Sequence, residues 1–220
     1  MLYILKIIIL VVLAYSALAC NLNAGEFREP DVEKYFKDCD KTGQILDNKI
    51  FKSCYNYTHK SSTVSYIELD AINIDSKNIK HRPAFYSDLN VPEEFRTNYN
   101  DYTGKGFDRG HIQSDASNDY SEEVLRLTYA MSNTTLQYPQ TNRRSYLSVE
   151  KHERELTIKY KNIKALTLIS YSGETVNGIR VPIEYKKIFW NSEFIECFNI
   201  KNNNIVYSLD EMKTDCSSIK

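Results

Sequence analysis

Residues 104–111 read Gly-Lys-Gly-Phe-Asp-Arg-Gly-His, and the last four, Asp108-Arg109-Gly110-His111, decide how the rest of the chain is interpreted. A cation, a glycine and an imidazole within four residues predict a short turn that aims the side chains of Arg109 and His111 at one phosphate. A tetrapeptide can match by chance, so this interpretation depends on the residues that surround it.

The residues that follow occur at a characteristic spacing. The stretch Met131-Ser132-Asn133-Thr134-Thr135-Leu136-Gln137 is followed by four residues at intervals of four, namely Asn142, Tyr146, Glu150 and Arg154. This order resembles the DNA/RNA non-specific endonucleases, the DRGH-motif, ββα-metal nucleases that include endonuclease G-like enzymes. The resemblance covers about residues 54–199, and its specificity lies in the spaced set rather than in any one residue.

The resemblance implies an α+β chain with the ββα-metal (His-Me finger) nuclease fold, in which helices flank a central, mainly antiparallel sheet. The residue pattern agrees, because alternating and β-rich apolar runs predict strands and two other segments favour helices. The predicted strands are Thr63–Ala71, Ile163–Tyr171 and Ile179–Trp190, with a turn region between Gly173 and Gly178, and the predicted helices are Ser121–Arg126 and Asn142–Leu156.

The residue types themselves indicate hydrolysis of a phosphodiester. That reaction needs a deprotonated water and positive charge on the phosphate oxygens. A neutral imidazole accepts protons near neutral pH, so His111 is the candidate general base. Arg109 and Arg154 are the candidate catalytic and substrate-binding cations, because a guanidinium meets a phosphate with paired N–H donors.

A metal site is predicted on the second helix. A hard oxygen donor suits Mg²⁺, which keeps several of its waters. The resemblance implies Mg²⁺, with Mn²⁺ as a substitute, bound directly by Asn142 and through water by Glu150. With residues 140–157 helical, the spaced set from Asn142 to Arg154 falls within about 120° around the axis. Asparagine also favours helix N-caps, which is the alternative for Asn142.

Other residues of the motifs are given supporting roles. The resemblance implies that Asn133 reaches the catalytic site and orders the substrate or the ligand shell. Asp108 and Gly110 are expected to support the loop. Arg82 is a candidate phosphate contact, and a surface salt bridge is the equal alternative. Packing is expected for Tyr146, and the solvated face of the helix is expected for Glu153 and Glu155.

The first 19 residues have the pattern of a signal peptide, apolar around Lys6 and ending in Ala17-Leu18-Ala19. Residues 20–220 are then expected to form a single nuclease domain. The predicted location is periplasmic or extracellular. A lipid anchor at Cys20, as in a membrane-anchored lipoprotein, is the alternative.

The chain has four further cysteines, and export would expose them to an oxidising compartment. An even number in an oxidising compartment favours disulfides. The four cysteines allow three pairings, which the sequence does not decide, and the most local one joins Cys39 to Cys54 and Cys197 to Cys216. None of them has the close spacing of a zinc site.

The charge balance gives no global support for binding a polyanion, because 28 basic and 29 acidic residues leave a formal net charge of −1. Basic residues are nevertheless concentrated near the motifs, at Lys105, Arg109, Arg143, Arg144, Lys151, Arg154, Lys159, Lys161 and Lys164. A basic cleft on an otherwise acidic surface is therefore expected. Contacts limited to phosphate and sugar would not read sequence.

Three functions follow from the sequence. The first, implied by the resemblance, is a secreted, Mg²⁺-dependent, sugar-non-specific endonuclease of DNA and RNA that leaves 5′-phosphates. The second is a small-substrate phosphodiesterase or nucleotidase, which requires a closed pocket. The third is a catalytically silent nucleic-acid-binding protein. The sequence does not fix the oligomeric state.

Overall fold

Most strands of this chain belong to one antiparallel sheet, and two others form a separate hairpin. A computed structural model describes residues 29–76, 78–104 and 106–219, and the elements below belong to the compact unit Asp31–Lys220. The strands are β1 (Gly43–Asp47), β2 (Phe51–Asn56), β3 (Ser61–Asp70), β4 (Asp108–His111), β5 (Thr134–Gln137), β6 (Asn162–Val176), β7 (Ile179–Trp190), β8 (Ile195–Lys201) and β9 (Lys213–Thr214).

Among the described residues, the helices are short except for one. The α-helices are α1 (Glu33–Phe36), α2 (Ala71–Ile74), α3 (Glu122–Thr128), α4 (Leu147–Tyr160) and α5 (Leu209–Met212), and a π-helix, Thr141–Tyr146, leads directly into α4. Single 3₁₀ turns lie at Cys39–Lys41, Glu93–Phe95, Tyr99–Tyr102, Met131–Asn133 and Cys216–Ser218. Within the described residues, no helix is long and apolar enough to cross a membrane.

The large sheet has the strand order β1-β2-β3-β6-β7-β8-β9, and all of its pairs are antiparallel. Alternating side chains of the central strands face α4, because successive strand residues point to opposite faces. Ala165 and Phe189 of the sheet are buried in one cluster with Val149 and Leu156 of α4. The helix that carries the predicted metal site is therefore fixed to the middle of the sheet.

The fold class predicted from the sequence is confirmed. β4 and β5 form the antiparallel hairpin, and the π-helix with α4 supplies the helix of the ββα unit. The predicted strand from Ile163 is too short, because β6 continues to Val176. The chain turns at Asn177 and Gly178, whose φ angles of 51° and 80° suit a tight hairpin.

The structure contains the most local of the three disulfide pairings, since Cys39 is bonded to Cys54 and Cys197 to Cys216. The first bond links the N-terminal segment to β2, and the second links the C-terminal segment to β8. The predicted signal peptide, the lipid anchor at Cys20 and the charge of Lys105 lie outside the described residues.

A buried ion pair joins α4 to the sheet. The carboxylate of Glu153, only 1% exposed, accepts a hydrogen bond of 2.9 Å from the ammonium group of Lys187 on β7, which is 0% exposed. The other oxygen of Glu153 accepts a bond of 3.1 Å from the hydroxyl of Ser117. The predicted solvated position is wrong for Glu153, whereas Glu155 is exposed.

We expect Lys187→Met to lower the free energy of unfolding by about 3–5 kcal/mol, because it leaves a carboxylate buried without its cation. The double variant Lys187→Met with Glu153→Leu should recover most of that loss, since neither charge then remains buried. Urea unfolding followed by circular dichroism measures both values.

The matched control is Lys201→Met, which removes a half-exposed lysine paired with Glu184. An exposed pair contributes little, so the change should be less than about 1 kcal/mol. A double variant as unstable as Lys187→Met would show that the ion pair is not the source of the loss.

Candidate active site

The hairpin of β4 and β5 presents the first motif. Asp108 is paired with Gln137 and His111 with Thr134. Because side chains alternate along a strand, Arg109 and His111 lie on one face of the hairpin. The ring of Phe85 is 5.1 Å from the His111 ring and 5.8 Å from the Arg109 guanidinium, so both side chains border the same aromatic group.

Gly110 is required by the opposite face of the hairpin. A Cβ atom at this position would lie 2.1 Å from the side-chain amide carbon of Gln137, which is buried on the neighbouring strand. No larger residue fits without displacing Gln137, so Gly110 supports the motif by allowing the two strands to close.

The imidazole of His111 lies against two aromatic rings, those of Phe85 and Tyr129. Its ring meets the ring of Tyr129 edge-on at 4.7 Å, and its Nε2 atom is buried without a hydrogen-bond partner among the described residues. Burial lowers the pKa of His111; Asp115 opposes this effect and the charge of Arg82 adds to it. The imidazole is therefore held in its neutral form, the form that accepts a proton.

Arg109 is held by an aromatic contact. Its guanidinium lies 3.8 Å from the centre of the Tyr99 ring and donates a bond of 3.0 Å to the Tyr99 hydroxyl. A stacked guanidinium keeps donors for a phosphate while its position is fixed. Tyr99 was not identified from the sequence, since a tyrosine nine residues before the DRGH motif gives no recognisable signal.

Arg82 forms the salt bridge that was the alternative to a phosphate contact. Its guanidinium binds Asp119 at 2.9 Å and Asp115 at 3.3 Å, and it also donates to the carbonyl of Ile79 at 2.7 Å. Asp115 in turn accepts a bond of 2.7 Å from the hydroxyl of Tyr129. Arg82 thus lies near His111, where its charge affects the pKa of the imidazole, and each of its three nitrogens contacts a protein group.

Asp108 orients the predicted metal ligand. One of its oxygens accepts a bond of 2.9 Å from the amide nitrogen of Asn142. Arg143 binds the same carboxylate through two bonds of 2.8 and 2.7 Å. Burial raises the pKa of Asp108, but bonds from Arg143 and Asn142 outweigh it and hold the pKa below its usual value. Because the Asn142 nitrogen is committed to Asp108, its amide oxygen remains as an acceptor.

The helix of the site is not regular. Asn142 lies in the π-helix, whereas Glu150 and Arg154 lie in α4. The uniform helical angle assumed from the sequence is therefore wrong, because a π-helix has i→i+5 bonds and a wider turn. The N-cap alternative for Asn142 is also excluded, since this residue lies inside the π-helix. Tyr146 is buried, and its hydroxyl donates a hydrogen bond of 2.8 Å to the backbone carbonyl of Ile112, the residue after His111.

Glu150 is a carboxylate without a protein partner, since no hydrogen bond or ion pair joins it to another described residue. Burial raises its pKa to about 7, with Glu153 and Asp115 adding to the rise and the cations of Lys187 and Arg154 opposing it. A partly desolvated carboxylate with no bound cation is a favourable position for a hydrated metal ion. Arg154 lies close enough to Glu150 for its charge to affect this carboxylate, and it donates a hydrogen bond of 3.3 Å to the hydroxyl of Ser114.

Asn133 does not reach the site, contrary to the expectation from the sequence. It is 0% exposed, and its side-chain amide bonds only to the backbone. The amide oxygen accepts from the nitrogen of Gln113 at 3.0 Å, and the amide nitrogen donates to the carbonyls of Gln113 and Thr128 at 3.1 and 2.9 Å. Asn133 is therefore a positioning residue for the segment that follows His111.

A second positioning segment follows β8 and contains none of the motifs identified in the sequence. The side chain of Asn202 donates to the carbonyls of Leu136 and Pro182 and accepts from the nitrogen of Tyr138, at 2.8–3.0 Å. The hydroxyl of Thr141 bonds to the backbone carbonyl and nitrogen of Asn203 at 2.8 and 3.0 Å. These bonds fix the connection between β5 and the π-helix.

The predicted site residues therefore fall into three groups. His111, Arg109, Asn142, Glu150 and Arg154 come together around the hairpin and helix, whereas Arg82 and Asn133 are occupied by protein contacts. Asp108 and Gly110 support the hairpin as the sequence predicted. Within the described ranges, no three His, Cys, Asp or Glu side chains come together to hold a metal ion.

The chain is similar to known nucleases. It is 35% identical to "Endonuclease G, mitochondrial" of Homo sapiens over 159 residues, which cover 66% of this chain and 54% of the human protein. It is 32% identical to "Nuclease 1, mitochondrial" of Schizosaccharomyces pombe over 151 residues, 66% of this chain and 47% of that protein. The matched regions thus span about half the length of these relatives.

A solved structure has the same fold. The structure titled "Crystal structure of the EndoG/EndoGI complex: Mechanism of EndoG inhibition" superposes with a TM-score of 0.72 at 19% identity, over 80% of this chain and 82% of the other. The family model for DNA/RNA non-specific endonucleases matches residues 31–219. The chain thus belongs to the DNA/RNA non-specific endonuclease family.

Proposed function

We propose that this protein is an exported, metal-dependent, sugar-non-specific endonuclease that hydrolyses phosphodiester bonds of DNA and RNA and leaves 5′-phosphates. The observation that carries the proposal is the combination of a half-buried imidazole at His111 with a lowered pKa, an amide oxygen at Asn142 that remains as an acceptor, and an unpartnered carboxylate at Glu150. Membership of the family and similarity to endonuclease G support the same reaction.

The residues present fit a hydrated divalent cation. The amide oxygen of Asn142 is left as an acceptor by the bond from its nitrogen to Asp108, and Glu150 has no protein partner. Both are hard oxygen donors, which favour Mg²⁺ and allow Mn²⁺ as a substitute. We propose that Asn142 binds the ion directly and Glu150 through water. When bound, the ion would supply positive charge to the phosphate and its leaving oxygen.

The protein side chains then have defined roles. His111 accepts a proton from the attacking water at its imidazole, because burial keeps the ring neutral. Arg109 and Arg154 donate N–H groups to the phosphate oxygens and stabilise the charge that develops there. Asn133 and Asp108 act through their contacts, by fixing the segment after His111 and the amide of Asn142.

Export is supported by the two disulfides, which form and persist in oxidising compartments. The apolar pattern of residues 1–19 is the signal that would direct it. A lipid anchor at Cys20 is the alternative form of export. Palmitate labelling of cells that express wild type and Cys20→Ala separates the two.

We expect purified protein to cut supercoiled plasmid and RNA in Mg²⁺, to be inactive in EDTA, and to lose at least about a hundredfold of its rate in His111→Ala, because a general base contributes about 10²–10⁴-fold. Gel electrophoresis measures the cutting. Products should accept kinase label only after phosphatase treatment, since 5′-phosphates block the label. His81→Ala is the matched control, and normal cutting by His111→Ala would contradict the assignment.

The roles of the metal ligand and the phosphate cation should separate kinetically. Asn142→Ala should raise the Mg²⁺ concentration needed for half-maximal rate. Arg154→Ala should lower kcat without changing that concentration, because the arginine stabilises phosphate charge. Rates against Mg²⁺ concentration test both. An unchanged rate in Arg154→Ala would remove Arg154 from the site.

Glu150→Gln should stabilise the metal-free protein in a pH-dependent manner. The folded-state pKa of about 7 lies above the ordinary value of 4.5, so folding is opposed as pH rises through this range, and the cost is complete above it. We expect a gain on the order of 1 kcal/mol near about pH 8, after allowance for solvent screening, and almost none near about pH 4.5.

Urea unfolding in EDTA at both pH values measures this gain, with Glu155→Gln on the exposed face of α4 as the control. Saturating Mg²⁺ should stabilise wild type more than Glu150→Gln. An equal gain at both pH values would show that the burial of an ionised carboxylate is not its cause.

A further inference from the structure

A basic cleft of about 250 Å³ lies between the N-terminal part of the site helix and the segment after β8. Arg143, Arg144 and Lys151 line one side, and Val206 and Tyr207 line the other. The cleft is outside the group of residues assigned above to proton transfer, metal binding and the scissile phosphate.

Arg143 is paired with Asp108, but the other two cations of this cleft are not balanced by the protein. No acidic residue lines it, although acidic residues outnumber basic ones in the whole chain. The side chains of Arg144 and Lys151 are exposed and form no hydrogen bond or ion pair with any residue that the structure describes. The nearby carboxylate of Glu211 instead accepts bonds from the backbone nitrogen and hydroxyl of Ser208. The two cations therefore remain available to an anion from outside.

The position of the cleft connects it to the site. Arg144 lies in the π-helix and Lys151 in α4, and both side chains line the same cleft. Arg143 follows Asn142 directly and shares the Asp108 carboxylate with it. The cations thus extend along the helix next to the residues proposed to hold the metal.

The opposite wall is held in place by hydrogen bonds. The backbone nitrogen of Tyr207 donates a hydrogen bond of 2.9 Å to the hydroxyl of Ser145, and the hydroxyl of Tyr207 accepts a hydrogen bond of 3.2 Å from the amide of Asn203. The half-exposed side chain of Val206 adds an apolar surface. A sugar can pack against this wall while its phosphate meets the cations, so the cleft has the two kinds of contact that a nucleic-acid backbone needs.

We infer that Arg144 and Lys151 form a second phosphate subsite, which binds a phosphate of the same strand beyond the one that is cut. This inference rests on the proposed nuclease function. The subsite contacts phosphate and sugar, so it adds affinity for long DNA or RNA without reading sequence. It therefore predicts a length-dependent contribution to substrate binding.

The binding test uses Arg144→Ala/Lys151→Ala in a His111→Ala background, with a fluorescent single-stranded oligonucleotide of about 16 nucleotides, long enough for one such groove. We expect Kd in Mg²⁺ to rise about tenfold, and the slope of log K against log salt to become shallower by about 0.7, because one phosphate is no longer neutralised by the protein. The matched control, Lys37→Ala/Lys41→Ala, removes the same charge beside β1 at the other end of the sheet, and its Kd should stay within about twofold.

The activity test uses the same pair of substitutions with His111 intact. The KM for plasmid should rise, whereas turnover of bis(p-nitrophenyl) phosphate should stay unchanged, because this small diester does not reach the cleft. Slower turnover of the small diester would place the effect in the catalytic site and overturn the subsite.

The remaining outcomes separate the two proposals. If wild type neither binds nor cuts nucleic acid, the proposed function itself fails. If wild type cuts, but both double variants bind the oligonucleotide equally, only the subsite is overturned. Loss of binding to polyglutamate with unchanged binding to DNA would also overturn it, since the cleft would then fit an acidic protein.

Discussion

The site depends on the buried ion pair between Glu153 and Lys187. Glu153 lies one turn beyond Glu150 on α4, Lys187 lies in the centre of the sheet, and Ser117 brings the segment after His111 to the same carboxylate. Removing two charges from water is costly, and the pair compensates only while its geometry is kept. A shift of the helix against the sheet would break these bonds, so the pair fixes the helix that carries the proposed metal site relative to the hairpin that carries the proposed base.

The polar groups around the site are of two kinds. Asn133, Asp108 and Arg82 have their hydrogen bonds satisfied by protein groups, and they hold the hairpin and its following segment in place. Glu150 and the Nε2 atom of His111 lack protein partners among the described residues. Burial raises the pKa of Glu150 and lowers the pKa of His111, so that it favours the neutral form of each. Unsatisfied groups of this kind reduce stability and are retained where function requires them. The stability contributed by the satisfied groups offsets the stability lost at the groups without partners.

Local patterns predicted much of this architecture, and the failures have physical causes. Strand alternation located β3, the turn region before Ile179 located β7, and spacing located the helix, because each signal lies within a short stretch of chain. Of the three disulfide pairings that the sequence left open, the structure contains the most local one. Glu153 was assigned to solvent because its cation is 34 residues away on β7, a contact that helical periodicity does not contain. The bonds of Asn133 are missed for the same reason, since its partner Gln113 is 20 residues away.

The formal charge of −1 does not conflict with binding a polyanion, because the charges are separated in space. Several acidic residues near the site are already paired, as Asp108 is with Arg143 and as Asp115 and Asp119 are with Arg82. At physiological salt, exposed charges more than about 8 Å apart are largely screened. A phosphate in the cleft therefore interacts with Arg144 and Lys151, and distant acidic residues contribute little. Net charge thus reports solubility and long-range attraction, whereas affinity for the backbone depends on which cations the protein leaves unpaired.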